Sequence, residues 1–208
     1  MKFQISFYSF GGVKEANTIL TEEKLWSSFL AGDKNAFQTI YEKSVSDLFA
    51  YGCRISSDQE LVKDCIQDLF IYLYRTRSKI SQTNKILPYL MLSLKRSMIR
   101  KLKEQRIDSR ADLENLPFSF ILVEDENIAK DEEDDVLQKA MDLLAPRERE
   151  AIYLRFVLGL DYDELAKTLH LNYQTARNLI HRALQKLRTS LQGKSVFLLF
   201  LLQQYKKR

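Results

Sequence analysis

The chain has 208 residues, which permits one or two domains, and 45% of them are hydrophobic, enough for real cores. Only 3 Pro and 6 Gly argue against a turn-rich β fold, and two cysteines, Cys53 and Cys65, exclude a disulfide framework and suit a reducing compartment. The net charge of +4 is segregated: residues 106–135 hold 11 acidic and 3 basic side chains, a net of −8, so the rest carries +12. Basic regions flanking an acidic connector are the pattern of a nucleic-acid binder with a polyanionic linker.

In chain order, residues 1–20 form an N-terminal extension with brief strand-like alternation at Phe3–Phe7 and no apolar secretory core. A short helix is expected over 21–31. Asp33 caps a second, with Phe37, Ile40, Tyr41, Leu48 and Phe49 inside and Gly52 near its end. Ser57-Asp58-Gln59-Glu60 reads as a capping box opening a third helix, whose stripe is Leu61, Cys65, Ile66, Leu69, Phe70 and Leu73. Both cysteines fall in apolar helical patterns and read as buried thiols. A polar loop follows over about 75–87. Pro88 suits the first turn of a fourth helix with the stripe Leu90, Leu94, Met98 and Leu102.

The acidic connector runs from about 106 to 132, and its apolar patch at 116–122 is expected to fold back or dock on a partner. Helices resume over 134–144, 146–158, 162–169 and 173–191. The run 196–202 is strongly apolar, but far shorter than the ~20 residues a bilayer span needs, so it reads as a docking helix. The expected fold is all-α: two small helical domains, 21–106 and 133–191, joined by an acidic linker at 107–132, with an apolar and basic tail at 192–208.

The last two helices carry the sharpest signal. Asp161 caps the first, with Glu164 reaching back to it, and Leu165, Ala166 and Leu169 point inward. His170-Leu171 is the turn and Asn172 the second cap. Ala176, Ile180, Ala183 and Leu187 then face the core, leaving Gln174, Arg177, Asn178, His181 and Arg182 outside or at the margins. This is the layout of a helix-turn-helix, and Gln, Asn and Arg are side chains that pair with base edges in a major groove. The plainer alternative is a helical hairpin with a solvated face.

Two more surfaces stand out. The fourth helix carries Lys95, Arg96, Arg100, Lys101 and Lys103 away from its apolar stripe, beside Tyr89 and the polar loop. Such a ridge suits phosphate neutralisation and stacking of single strands; a solvated helix face is the alternative. On the third helix Asp64, Gln67 and Asp68 cluster among apolar residues. No His accompanies them, so a protein-docking face explains them better than acid–base or metal chemistry. The only histidines, His170 and His181, lie in the helix-turn-helix, and no Gly-rich phosphate loop or His-Glu-x-x-His motif appears.

Together these parts resemble a bacterial sigma factor of the sigma-70 family, in the small extracytoplasmic-function group. Asp64-Cys65-Ile66-Gln67-Asp68-Leu69-Phe70 is similar to that family's core-binding motif. Pro146–Glu150, Leu154-Arg155, Tyr162-x-Glu164-Leu165-Ala166 and His181-Arg182-Ala183-Leu184-x-x-Leu187-Arg188 resemble its fourth region. The resemblance implies that Asp64, Gln67, Asp68 and Phe70 bind the β′ clamp helices of core RNA polymerase. It implies that Lys79, Asn84, Lys85, Tyr89, Arg96, Arg100, Lys101 and Lys103 melt and hold the promoter −10 element. The C-terminal domain would bind the β flap, and Tyr173, Gln174, Thr175, Arg177, Asn178, His181 and Arg182 would meet the −35 element. A cytoplasmic, non-enzymatic initiation subunit without cofactor, small-molecule substrate or stable membrane insertion is expected, with an anti-sigma factor as partner. One departure is that Ser97 and Arg100 stand where the family often has Asn and Asp in the −10-binding helix. The alternative function is a free-standing helix-turn-helix regulator that binds duplex DNA without polymerase.

Overall fold

The computed structural model describes residues 22–105, 117–119 and 138–191. The expectations for 1–20, most of the connector and 192–208 lie outside these residues. The described elements are helical: α1 (Glu22–Leu30), α2 (Lys34–Ile55), α3 (Gln59–Thr76), a 3-10 turn (Arg77–Lys79) and α4 (Ile86–Gln105) come first. They are followed by α5 (138–142), α6 (Pro146–Ile152), a π turn (Tyr153–Val157), α7 (Tyr162–Leu169) and α8 (Tyr173–Ser190).

Capping chemistry sets most starts. Asp33 accepts from the Asn35 and Ala36 amides at 2.8 and 3.4 Å, holding orphan donors of α2. The start of α3 differs from the expected box. Asp58, one residue later than Ser57, is the cap and accepts from the Leu61 amide at 3.0 Å, while Glu60 turns away to Lys63 at 2.7 Å. A carboxylate at the cap satisfies the orphan donor directly, so the Ser57–Glu60 pair is not used. The start of α4 is held from afar: Glu22 accepts from the Ile86 amide at 3.1 Å. Pro88 falls in that first turn, where its missing N–H costs nothing.

The stripes of α1–α4 converge on one core in which Trp26, Leu48, Tyr51, Leu73, Leu90, Leu94 and Met98 are fully enclosed. An aromatic chain joins Trp26 to Phe29 (5.2 Å between centroids), Phe29 to Phe37 (5.7 Å) and Tyr41 to Phe70 (4.9 Å). Cys65 is buried and Cys53 half-buried, and burial pushes both thiols up.

In the second core, α6 and α7 pack against α8. Pro146 opens α6, but the expected single helix over 146–158 loosens after Ile152. The Leu158 amide reaches back five residues to Tyr153 at 3.2 Å, making a π turn. The wider turn ends at Gly159, whose φ of 69° suits glycine. Arg155 then donates to the Leu160 carbonyl at 2.6 Å and closes the corner. The helix-turn-helix follows expectation: Asp161 and Glu164 bond each other's backbone amides, and Asn172 accepts from the Thr175 amide at 2.7 Å. His170 takes the left-handed conformation at φ 54° that makes the turn tight.

The two helical groups touch. α4 lies along α7, and Phe118 from the connector is 3% exposed between Tyr51 and Tyr153, with ring centroids 6.0 and 5.7 Å away. The expected fold-back of the apolar patch is thus realised at Phe118.

Candidate nucleic-acid and protein interfaces

The outer face of α3 presents Asp64, Gln67 and Asp68 to solvent, continued by Ile71 (41% exposed) and Tyr72 (62% exposed). Two large apolar side chains beside acidic ones make a face suited to protein docking. Phe70 does not belong to it. Its side chain is 3% exposed and packs on Phe37 and Tyr41, so it supports the face from below rather than offering contact. Lys101 reaches across from α4 to Asp68 at 2.7 Å, and that bond holds its ammonium above the ordinary lysine range. The basic ridge is therefore partly neutralised where it meets the docking face.

The loop before α4 is braced by α1. Trp26 Nε1 donates to the Ser81 carbonyl at 3.1 Å, and Gln82 donates to the Glu23 carbonyl at 3.1 Å and to Ser27 Oγ at 2.7 Å. Sequence reasoning missed this role of α1, since nothing local to residues 22–30 marks a contact so distant in the chain. Tyr89 stands edge-on to Trp26 at 5.3 Å and is half-buried, so it stiffens the loop as well as lining it. Lys79, Asn84, Arg96 and Arg100 are exposed, and Lys103 is half-exposed. Lys85 points at the C-terminal group, 2.9 Å from Glu164 and 3.4 Å from Asp161, and the bond to Glu164 raises its pKa. Lys95, in the ridge, meets Glu150 with both oxygens at 2.8 Å.

On α8, Tyr173, Gln174, Thr175, Arg177, Asn178, His181 and Arg182 are all exposed on one side, with Ala176, Leu179, Ile180, Ala183 and Leu187 buried on the other. Gln174 donates to Asn178 at 3.1 Å, which holds two polar side chains together. Glu148 and Lys186 tie α6 to α8 at 2.8 Å. Burial alone would raise the Glu148 carboxyl, but Lys186 and the Ala145 amide outweigh it and lower the pKa.

His170 sits at the seam between the groups, with Arg96 donating to its Nε2 at 2.9 Å. Burial lowers its pKa, helped by the charges of Arg96 and Lys95 from α4 and Arg147 from α6. The neutral ring is the acceptor that Arg96 needs. The contact is therefore fully present above about pH 6.5, the ordinary histidine value, and is lost as pH falls below it. In an NMR titration the His170 ring proton should move at lower pH than usual for histidine, and Arg96→Ala should raise its midpoint. A His170 midpoint that ignored Arg96→Ala would rule the contact out.

The sequence pattern of the family described as "Sigma-70, region 4" matches residues 134–187, which take in the helix-turn-helix and the exposed face of α8. The chain is 25% identical over 165 residues to the ECF RNA polymerase sigma factor SigK of Mycobacterium ulcerans (strain Agy99), covering 77% of this chain and 88% of that one. It is also 25% identical over 165 residues to the RNA polymerase sigma factor CarQ of Myxococcus xanthus, covering 77% and 91%. Over most of its length the chain is thus similar to sigma factors of the sigma-70 family's extracytoplasmic-function group.

Two solved structures share the fold. CnrH, in complex with the cytosolic domain of CnrY, superposes with a TM-score of 0.54 at 20% identity, covering 84% of this chain and 99% of that one. RpoE of Bartonella quintana, in complex with the anti-sigma factor NepR, gives 0.55 at 21% identity, covering 76% and 98%. Among the described residues, no helix is long and apolar enough to cross a membrane.

Proposed function

We propose that the protein binds core RNA polymerase and directs promoter recognition, DNA melting and transcription initiation. The observation that carries this reading is the face of α8: a row of polar side chains, all exposed, within the residues matched by region 4. Residues 21–106 serve as the region 2-like domain, 107–132 as the linker and 133–191 as the region 4-like domain. Residues 1–20 and 192–208 are an extension and a tail. Asp64, Gln67 and Asp68 dock on the β′ clamp helices over the Phe70 support, and the C-terminal domain docks on the β flap. The loop and α4 hold the melted −10 strand, and α8 reads the −35 duplex.

The polymerase supplies the bond-forming chemistry, and this chain has none of its own. It works in the cytoplasm, where the polymerase is. An anti-sigma factor is its partner in regulation, as NepR is for RpoE of Bartonella quintana.

Run-off transcription with core polymerase over a promoter library tests this. Initiation should depend on the protein and should fail when Gln67→Ala and Asp68→Ala are combined. Arg177→Ala should weaken use of the −35 element and relax its sequence, since a lost base contact costs about 1–3 kcal/mol. An unchanged −35 preference would mean that the register assigned to α8 is wrong. Tight duplex binding without any stimulation of polymerase would favour a free-standing regulator instead.

A further inference from the structure

A cleft of about 480 Å³ opens where α4 meets α7 and the turn that follows it. Its walls are apolar: Tyr89 and Leu92 on α4 face Ala166 on α7 and Leu171 in the turn. Its polar lining is Thr83, Lys85, Lys167 and His170, with no carboxylate among the lining residues. That size, apolar walls with a few polar groups, and a place between two helical groups are the usual marks of a small-molecule site.

We propose that this cleft binds a small amphipathic organic anion, an aryl or medium-chain acyl carboxylate whose apolar body lies between Leu92 and Leu171 and whose carboxylate meets Lys167 and His170. The inference goes beyond the role in initiation and does not rest on it.

Electrostatics select an anion. Lys167 is exposed and has no ion-pair partner among the described residues. Lys85 is engaged by Glu164 at 2.9 Å and Asp161 at 3.4 Å, so its charge is matched and its stem lines the wall. Arg96 donates to His170 Nε2 at 2.9 Å, which leaves the ring proton on Nδ1 as a donor. After burial, what lowers the His170 pKa is the charge of Arg96, Lys95 and Arg147, so the field at this ring is positive. A cationic head group would be repelled there. A carboxylate is attracted and can accept from both the Lys167 ammonium and the ring. A neutral molecule of the same shape would gain the walls without those contacts.

The site is also pre-formed. Tyr89 stands against Trp26 at 5.3 Å, Thr83 Oγ1 accepts from the Lys85 amide at 3.1 Å, and the Leu171 amide donates to the Ala166 carbonyl at 2.8 Å. Little side-chain or loop ordering therefore opposes binding.

The test uses the full chain and three probes of one chain length: decanoate, decanol and decylamine. Decanoate should raise the melting temperature saturably and slow hydrogen exchange at the Lys85 and Leu171 amides, one on each wall. Decanol should do both more weakly, and decylamine neither. Lys167→Ala should weaken decanoate binding about threefold to tenfold and leave decanol unchanged. Leu92→Trp fills the cleft and should abolish the effects of both. Decanoate binding that is unchanged in the two variants would overturn the site. So would equal binding of the three probes, the behaviour of a bare apolar face that a protein segment covers. Polymerase-dependent initiation, read separately without any probe, stands or falls independently of these results.

Discussion

Trp26→Ala should cost about 3–5 kcal/mol of stability, the range for emptying a buried aromatic site. Trp26 is fully enclosed between Phe29 and Tyr89. Truncation would leave a cavity there and strip the Ser81 carbonyl of its donor, which stands 3.1 Å away in the structure. The functional effect should exceed the effect on the fold. Ser81 and Gln82 belong to the loop proposed to meet the −10 strand, and α1 holds both. Trp26 is thus a positioning residue, acting on DNA through the loop. Trp26→Phe should keep most of the packing and lose the hydrogen bond alone, at about 0.5–1.5 kcal/mol.

Urea unfolding followed by far-ultraviolet circular dichroism measures the first effect. Hydrogen exchange at the Gln82 and Thr83 amides measures the second, and both substitutions should speed it. Run-off transcription separates positioning from folding: a premelted promoter should rescue Trp26→Phe if the loop is needed mainly for melting. A loss below about 1 kcal/mol for Trp26→Ala, with unchanged exchange in the loop, would mean that α1 does not brace it.

What the sequence revealed follows the range over which each interaction acts. Caps at Asp33, Asp161 and Asn172 were legible because donor and acceptor lie two or three residues apart. The stripes of α3 and α8 were legible because burial repeats with the helical period. Phe70 shows the limit of motif reasoning. Its place in the α3 stripe pointed to the core, its place in the family motif pointed to docking, and burial at 3% exposure decides for the core. Ser57 lost the cap to Asp58 because adjacent capping residues compete and the sequence pattern does not rank them. The π turn at Tyr153–Val157 left no trace, since its residues are ordinary helix formers and the loosening is imposed by the corner at Gly159. The contacts Glu22–Ile86, Trp26–Ser81, Lys85–Glu164 and Lys95–Glu150 span 55 to 79 residues of chain, and no local rule encodes a partner so far away.

Gly52→Ala should destabilise the protein by about 1–3 kcal/mol, although a glycine in a helix interior is ordinarily improved by alanine by about 1 kcal/mol. Sterics reverse the sign. A Cβ at Gly52 would stand 2.5 Å from Val62 Cγ1, 3.4 Å from its Cγ2 and 3.5 Å from Met98 Sδ. The thioether is flexible and can yield. Val62 cannot turn away freely: it is β-branched, lies in the first turns of α3 and is fully buried. The helix itself must shift, and α3 carries Asp64, Gln67 and Asp68 on its far side. The Asp68–Lys101 bond, which joins α3 to α4, would shift with it. Weaker polymerase binding should therefore accompany the loss of stability. Val62→Ala opens the space that the new methyl needs, so the pair of substitutions should be less destabilising than the sum of the two, with a coupling of about 0.5–3 kcal/mol in a double-mutant cycle. If Gly52→Ala instead raised the urea midpoint, or if the two effects simply added, the close approach of α2 to α3 would not be what holds the docking face in place.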